Sequence, residues 1–209
     1  MKKNYYKVGF IISITVSIFI ISFFSFGGDL FWHKPTPPKI IEKVKYVEKE
    51  GMETKDFIEH LNPRIDPIIA EKIGDAIDEY SKKYQLPRKL ILSIIYKEST
   101  FNPLAKSNVA FGLMQIYPKF HPEKIKALGI KDQRKLYHID TNINIGCQIF
   151  REYFDASKGD LDETFHKYLS KKATKEQRDK YKNRILNTWS EMDLYEYLTK
   201  RKKNEKGEY

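Results

Sequence analysis

Cysteine is nearly absent: Cys147 stands alone in 209 residues. That excludes an intramolecular disulfide and any zinc site built from several cysteines. Within "NIGCQIF" it reads as a small core residue. The histidines at 60, 121, 138 and 166 are scattered without metal-ligand spacing, so no metal and no cofactor are expected. No stretch carries the sustained polar–apolar alternation of a large sheet, and there is no internal repeat. Acids are in short supply too, 28 Asp and Glu against 38 Lys and Arg, a formal charge of +10. Such a balance suits cell-wall polymers, phospholipid headgroups or nucleic acid, and a Lys- and Ile-rich composition raises it with no partner at all. Nucleic acid has no motif behind it and conflicts with the export that the N-terminus implies.

The first residues, "MKKNYYK", hold three lysines and no acid, and the next charge after them is Asp29. Val8 to Gly28 is 21 uncharged residues. At about 1.5 Å per residue a helix of that length crosses a hydrocarbon core of roughly 30 Å. No Ala-x-Ala site closes the run, so it reads as an uncleaved signal anchor rather than a cleaved signal. Lysines on its N-terminal side place that end in the cytoplasm and the rest outside. The expected localisation is the cytoplasmic membrane, single-pass, with the following domain on the extracytoplasmic side.

The chain then divides into residues 29–55, a tether whose segment 33–55 has three prolines and a dense charge run, a compact domain at 56–195, and a basic disordered tail at 196–209. Periodicity inside the domain is helical almost throughout, so the fold class is mainly α. Asp66-Pro67 is a capping residue followed by proline at the first helical position, and Ile68, Ile69, Ile73, Ile77 and Tyr80 form the expected apolar stripe. A second helix restarts at Pro87. A third has Ile145, Ile149 and Tyr153 on one face and closes at Gly159. Two more follow in "DLDETFHKYLSK" and "TKEQRDKYKNRILNTWSEM".

In the second helix Ile91, Ile94 and Ile95 stand at i, i+3 and i+4, and Glu98 at i+7. The carboxylate therefore projects from the apolar face at the edge of the core, where desolvation raises its pKa toward values useful to a general acid. The competing reading is a C-terminal glutamate that curls back to water or pairs with a lysine. Asn102-Pro103 and Ser107-Asn108 are turn signals, so the chain folds back as a loop. "FGLMQI" then supplies a glycine for close approach, a methionine able to lie against a flat ligand, and an amide. Those are ingredients of a sugar-binding cleft wall, and equally of any packed loop.

The pattern "ES-x-FNP-x-A-x-S" at Glu98, Ser99, Phe101, Asn102, Pro103, Ala105 and Ser107, followed by "GLMQI" at 112–116, resembles the soluble lytic transglycosylase type of catalytic domain. A third element, "NI-x-x-G", is present as Asn142, Ile143 and Gly146. Gly159-Asp160-Leu161 is followed at the expected distance by Tyr168, on the family tyrosine. Leu169 stands where the family normally has asparagine and Lys171 where it has glycine, and the loop between Ser107 and Gly112 is one residue shorter than the commonest form.

The resemblance covers roughly residues 66–190. It implies a lysozyme-like helical domain of the goose-type lysozyme and lytic transglycosylase kind behind the transmembrane helix. It also implies bacterial peptidoglycan glycan strands as substrate. Glu98 would protonate the leaving oxygen of the β-1,4 bond between N-acetylmuramic acid and N-acetylglucosamine. It would then act as base on the muramic 6-hydroxyl, leaving a 1,6-anhydro end. The substrate's acetamido group takes the place of the second carboxylate that most glycosidases use. Tyr168 would orient Glu98 by a phenolic hydrogen bond, and Ser99, Ser107, Met114 and Gln115 would contact substrate. Two alternatives stay open: a hydrolytic muramidase with Asp140 or Asp155 as helper, and an inactive peptidoglycan-binding scaffold. A short anchored enzyme on a proline-containing tether also fits work beside a cell-envelope assembly partner.

Overall fold

Asp66 opens the first long helix as expected: its carboxylate accepts from the amides of Ile68 and Ile69, and Pro67 occupies the first turn, where it has no bond to lose. A computed structural model of the protein describes residues 51–169 and 173–206, and these are mainly helical. In chain order the helices are α1 (Thr54–Leu61), α2 (Pro67–Tyr84), α3 (Arg88–Ser99), α4 (Pro122–Ala127), α5 (Ile139–Ala156), α6 (Leu161–Tyr168) and α7 (Lys175–Lys206). Short 3-10 turns lie at Pro118–Phe120 and Gln133–Tyr137. Extended pairing among the described residues amounts to single bridges, Lys106 with Phe111 and Phe111 with Ile116. The expected membrane anchor (residues 8–28) and most of the tether lie outside the described residues. Among the described residues no helix is long and apolar enough to cross a membrane.

Helix α3 is the centre of the packing. Its run "LILSII" leaves Ile91, Leu92, Ile94 and Ile95 at most 1 % exposed. It is covered by α7 on one side and by α1 and α2 on the other. Each such side chain contributes about 1.5–3 kcal/mol by leaving water. Helix α5 packs on α2 and carries α6, burying Ile145, Ile149 and Cys147.

One stripe residue differs from the sequence expectation. Ile68 is 63 % exposed, and the buried line on α2 runs through Ala70, Ile73, Ala76, Ile77 and Tyr80. At 100° per residue Ile68 lies some 140° from Ile73, so it cannot share that face.

Helix ends set the loops. At the end of α2, Gln85 takes a left-handed conformation (φ 50°). The amides of Leu86 and Gln85 return to the carbonyls of Ser81 and Lys82, which drops Leu86 into the core. At the start of α7, Thr174 and Gln177 cap each other reciprocally, side chain to amide at 2.8 and 3.2 Å. Residues 196–206, assigned by sequence to the basic tail, continue α7, supported by i,i+4 pairs Glu196–Lys200 (2.8 Å) and Arg201–Glu205 (2.9 Å). Lys89 ties α3 to α7 by reaching Asp193 and Glu196 at 2.6 and 2.7 Å.

Candidate active site

Glu98 is partly buried one residue before the end of α3, on the face of Ile91 and Ile95, as the i, i+4, i+7 spacing predicts. The helix stops immediately after it. Thr100 (φ 52°) and Phe101 (φ 62°) are both left-handed, and the Thr100 amide returns to the Tyr96 carbonyl at 3.0 Å. A β-branched and an aromatic residue rarely hold that conformation, which costs on the order of 1–3 kcal/mol each. The compensation is Phe101, whose ring swings back into the core at 1 % exposure and lies 5.7 Å from Tyr96, centroid to centroid.

The hydroxyl that holds Glu98 comes from Tyr181 on α7, donating to Glu98 Oε1 at 2.5 Å. Tyr181 is buried, packs edge-on against Phe165, and has the Lys97 ammonium 5.1 Å from its ring centre. Burial holds the Glu98 carboxyl above its ordinary pKa, against the opposing pull of the Tyr181 hydrogen bond and the Lys97 charge. Burial, together with the Glu98 charge, pushes the hydroxyls of both Tyr181 and Tyr168 well up, so both are donors at neutral pH.

Tyr168 is thus near Glu98, but its expected hydrogen bond to the carboxylate is absent. Its hydroxyl instead donates to the Met114 carbonyl at 3.3 Å. The ring lies edge-on to Phe150, and Phe150 and Phe165 join the two tyrosines into one aromatic wall.

The "GLMQ" segment is the turn between Phe111 and Ile116, whose amides and carbonyls exchange two bonds of 3.0 Å. Asn142, fully buried, clamps it from α5. Its amide donates to the carbonyls of Phe111 (2.8 Å) and Leu136 (2.7 Å), and its oxygen accepts from the Met114 amide (2.7 Å). Gly112 (φ 75°) leaves no room for a Cβ, which would stand 2.2 Å from Asn142 Nδ2. Gly146, one turn along α5, makes space for Met114, since a Cβ there would meet Met114 Sδ at 2.2 Å. The "NI-x-x-G" element is therefore the seat of the "GLMQ" turn.

That seating changes the expected roles of several residues. Met114 is 1 % exposed and fills the gap over Gly146, so its side chain belongs to the core and not to a ligand surface. Gln115, left-handed at φ 46°, spends its amide hydrogens on the carbonyls of Gly112 (2.9 Å) and Ala105 (3.2 Å). Ser99 donates to the Ile95 carbonyl one turn back at 3.0 Å. Ser107 is exposed and accepts from the Ala110 amide at 3.0 Å, closing its own loop. Leu169 ends α6 and packs against the core. Lys171 lies outside the described residues. Asp140 accepts from Tyr80 at 2.6 Å and Asp155 pairs with Arg151. Among the described residues no group of three or more His, Cys, Asp or Glu is disposed to hold a metal ion.

Sequence reasoning missed Tyr181. The available signal was its place on one stripe with Ile185 and Met192, both fully buried. A tyrosine on a core stripe needs a partner for its hydroxyl.

A partly buried acid at a helix end, held by a tyrosine and joined by a clamped Gly-Leu-Met-Gln turn, is the candidate site of this lysozyme-like helical domain. A family model described as "Transglycosylase SLT domain" matches residues 75–185. The chain belongs to this family. The matched span contains Glu98, the "GLMQI" turn, Asn142, Gly146, Tyr168 and Tyr181. The chain is also similar to the membrane-bound lytic murein transglycosylase E of Buchnera aphidicola subsp. Acyrthosiphon pisum (strain APS), at 44 % identity over 78 residues, 35 % of each chain. The match spans about a third of that relative's length.

Proposed function

We propose that this chain is a membrane-anchored peptidoglycan lytic transglycosylase. It cuts the β-1,4 bond between N-acetylmuramic acid and N-acetylglucosamine and leaves a 1,6-anhydromuramic end. The observation that carries the reading is Glu98, a carboxyl raised by burial and hydrogen-bonded by Tyr181. Family membership and the printed name of the relative support it.

Protonated Glu98 gives its proton to the glycosidic oxygen as the bond to the anomeric carbon breaks. The resulting carboxylate, stabilised by the Tyr181 hydroxyl, then takes the proton of the muramic 6-hydroxyl as that oxygen closes on the anomeric carbon. Acid and base are the same group, so a cycle ends with Glu98 protonated again. The substrate's acetamido oxygen supports the electron-poor carbon between the two steps, so no second enzymic carboxylate is needed. Tyr168 acts on the wall of this site through the Met114 carbonyl. Gln115 and Ser107 are the proposed substrate contacts, while Ser99 braces the last turn of α3.

The hydrolytic alternative needs a carboxylate to activate water. Asp140 and Asp155, its candidates, are engaged by Tyr80 and Arg151. A scaffold without turnover has no need of a buried, tyrosine-held acid, which costs stability at neutral pH. Residues 8–28 are the proposed anchor, with the domain on the extracytoplasmic side.

Digestion of purified peptidoglycan, with muropeptides analysed by mass, tests the reading. Anhydro ends are expected. Ends heavier by one water mean a muramidase, and no products from folded protein mean a scaffold.

A further inference from the structure

Lys97 immediately precedes the acid and has no part in the reaction above. Successive helical residues point about 100° apart, so its half-buried side chain leaves α3 on a different bearing from the Glu98 carboxylate. Among the described residues it forms no ion pair, with Glu98 or with any other acid. Its ammonium lies instead 5.1 Å from the centre of the Tyr181 ring. That ring carries the hydroxyl that donates to Glu98 Oε1 at 2.5 Å. The contacts thus make a circuit that leaves α3 at residue 97, crosses α7 and returns to α3 at residue 98.

Packing holds the ring where both contacts are made. Tyr181 is 6 % exposed and meets Phe165 edge-on, with 5.9 Å between centroids. A cation over an aromatic face is drawn to the ring's electrons, and a phenol polarised in this way is a stronger hydrogen-bond donor. The gain is largest when the acceptor is ionised. The other titratable groups around the acid are neutral at pH 7. Tyr168 of α6 and Tyr181 of α7 have hydroxyls pushed well up by burial. Behind Tyr168, on α5, burial also raises the Cys147 thiol and the Tyr153 hydroxyl. Among the described residues Lys97 is therefore the charge that bears on Glu98.

We propose that Lys97 is a positioning residue for Glu98 that acts through the Tyr181 ring, holding the phenol on the acid and strengthening its hydrogen bond. The inference rests on the proposed function, because that reading makes Glu98 alternate between acid and base. The lysine matters once Glu98 has given up its proton. A carboxylate met by a cation-backed phenol is stabilised more than the carboxylic acid it came from, so the contact favours departure of the proton. A lysine that only pinned α7 to α3 would change stability and leave the titration of the acid where it was.

The test uses the full-length chain with Lys97→Met, Lys97→Arg, Tyr181→Phe, and Lys97→Met combined with Tyr181→Phe. NMR of labelled glutamate carboxyls, with Glu98 assigned by its loss in Glu98→Gln, follows protonation without turnover. In parallel, kcat is measured on purified peptidoglycan. Lys97→Met is expected to move the Glu98 midpoint to higher pH and to lower kcat by about two- to fivefold, the size of one cation–ring contact. Lys97→Arg keeps a cation on the ring and should restore both. Without the Tyr181 hydroxyl only the direct charge effect remains, so Lys97→Met should move the midpoint less in the Tyr181→Phe background. An equal movement in both backgrounds overturns the inference, because the lysine would then act by its charge alone. No movement in either overturns it as well and leaves Lys97 a helix-docking residue. A midpoint that responds as expected, in a chain that cuts no glycan, would sink the proposed function and keep the coupling.

Discussion

Tyr181 Oη and Glu98 Oε1 stand 2.5 Å apart, joining the end of α3 to the second turn of α7. A phenol donating to a carboxyl in a shielded place favours the ionised form, while burial favours the protonated one. The site therefore sets the acid between two opposed effects, with burial the larger.

Removing the hydroxyl removes the effect that lowers the pKa. Tyr181→Phe should shift the Glu98 pKa further upward, moving the alkaline limb of the kcat/KM profile to higher pH. The rate at neutral pH should fall by about tenfold or more, since the carboxylate loses its donor in the second half of the cycle. A profile that keeps the wild-type limb would show that the bond does not tune the acid.

Glu98→Gln should cut turnover by about 10²–10⁴-fold. Its effect on stability follows from the raised pKa. The folded chain holds this proton more tightly than the unfolded one, so the group is most favourable to folding at low pH. That advantage is lost as pH rises through the folded pKa, leaving a buried charge. Thermal melts should therefore find the glutamine variant more stable than wild type at neutral pH. The difference should vanish below about pH 4, under the ordinary carboxylate range. A variant less stable at pH 7 would contradict this.

Asn142→Ala should cost about 2–4 kcal/mol in denaturant unfolding, because it strands the Met114 amide and the Leu136 carbonyl in the interior, while the Phe111 carbonyl keeps the Ile116 amide. The turn would loosen with the clamp, so activity should drop in the fraction that stays folded. Substrate-independent exchange of the Met114 amide is the direct readout, and it should quicken.

Gly146→Ala drives a methyl group into Met114 and should destabilise by about 1–3 kcal/mol. Met114→Ala opens a void of its own. The double variant should be more stable than the sum of the two losses predicts, because each change relieves the other. Strict additivity would mean that the two residues do not share the space.

Much of this was legible in the sequence because it is local. The i, i+4, i+7 spacing put Glu98 on the isoleucine face, Asp66-Pro67 marked a helix start, and Cys147 fell in the core. The errors fell where a short pattern cannot see across the chain. Ile68 looked like part of a stripe, but it lies one residue off the buried line that Ala70 and Ile73 define. Tyr168 occupied the family position and was given the bond to Glu98, whereas Tyr181, 83 residues from the acid, makes it. Met114 reads as a ligand contact from its chemistry alone, whereas Asn142 and Gly146 turn it inward.

The chemistry of Glu98 is also tied to the order in which the chain is made. The acid emerges early and the hydroxyl that holds it belongs to the last helix of the domain, docked through Lys89, Asp193 and Glu196. Until α7 is in place, the acid has neither its donor nor the cover that raises its pKa. A half-made or clipped domain therefore carries every residue of the "ES…GLMQI" pattern and still lacks the Tyr181 donor, so the proposed activity requires completed folding.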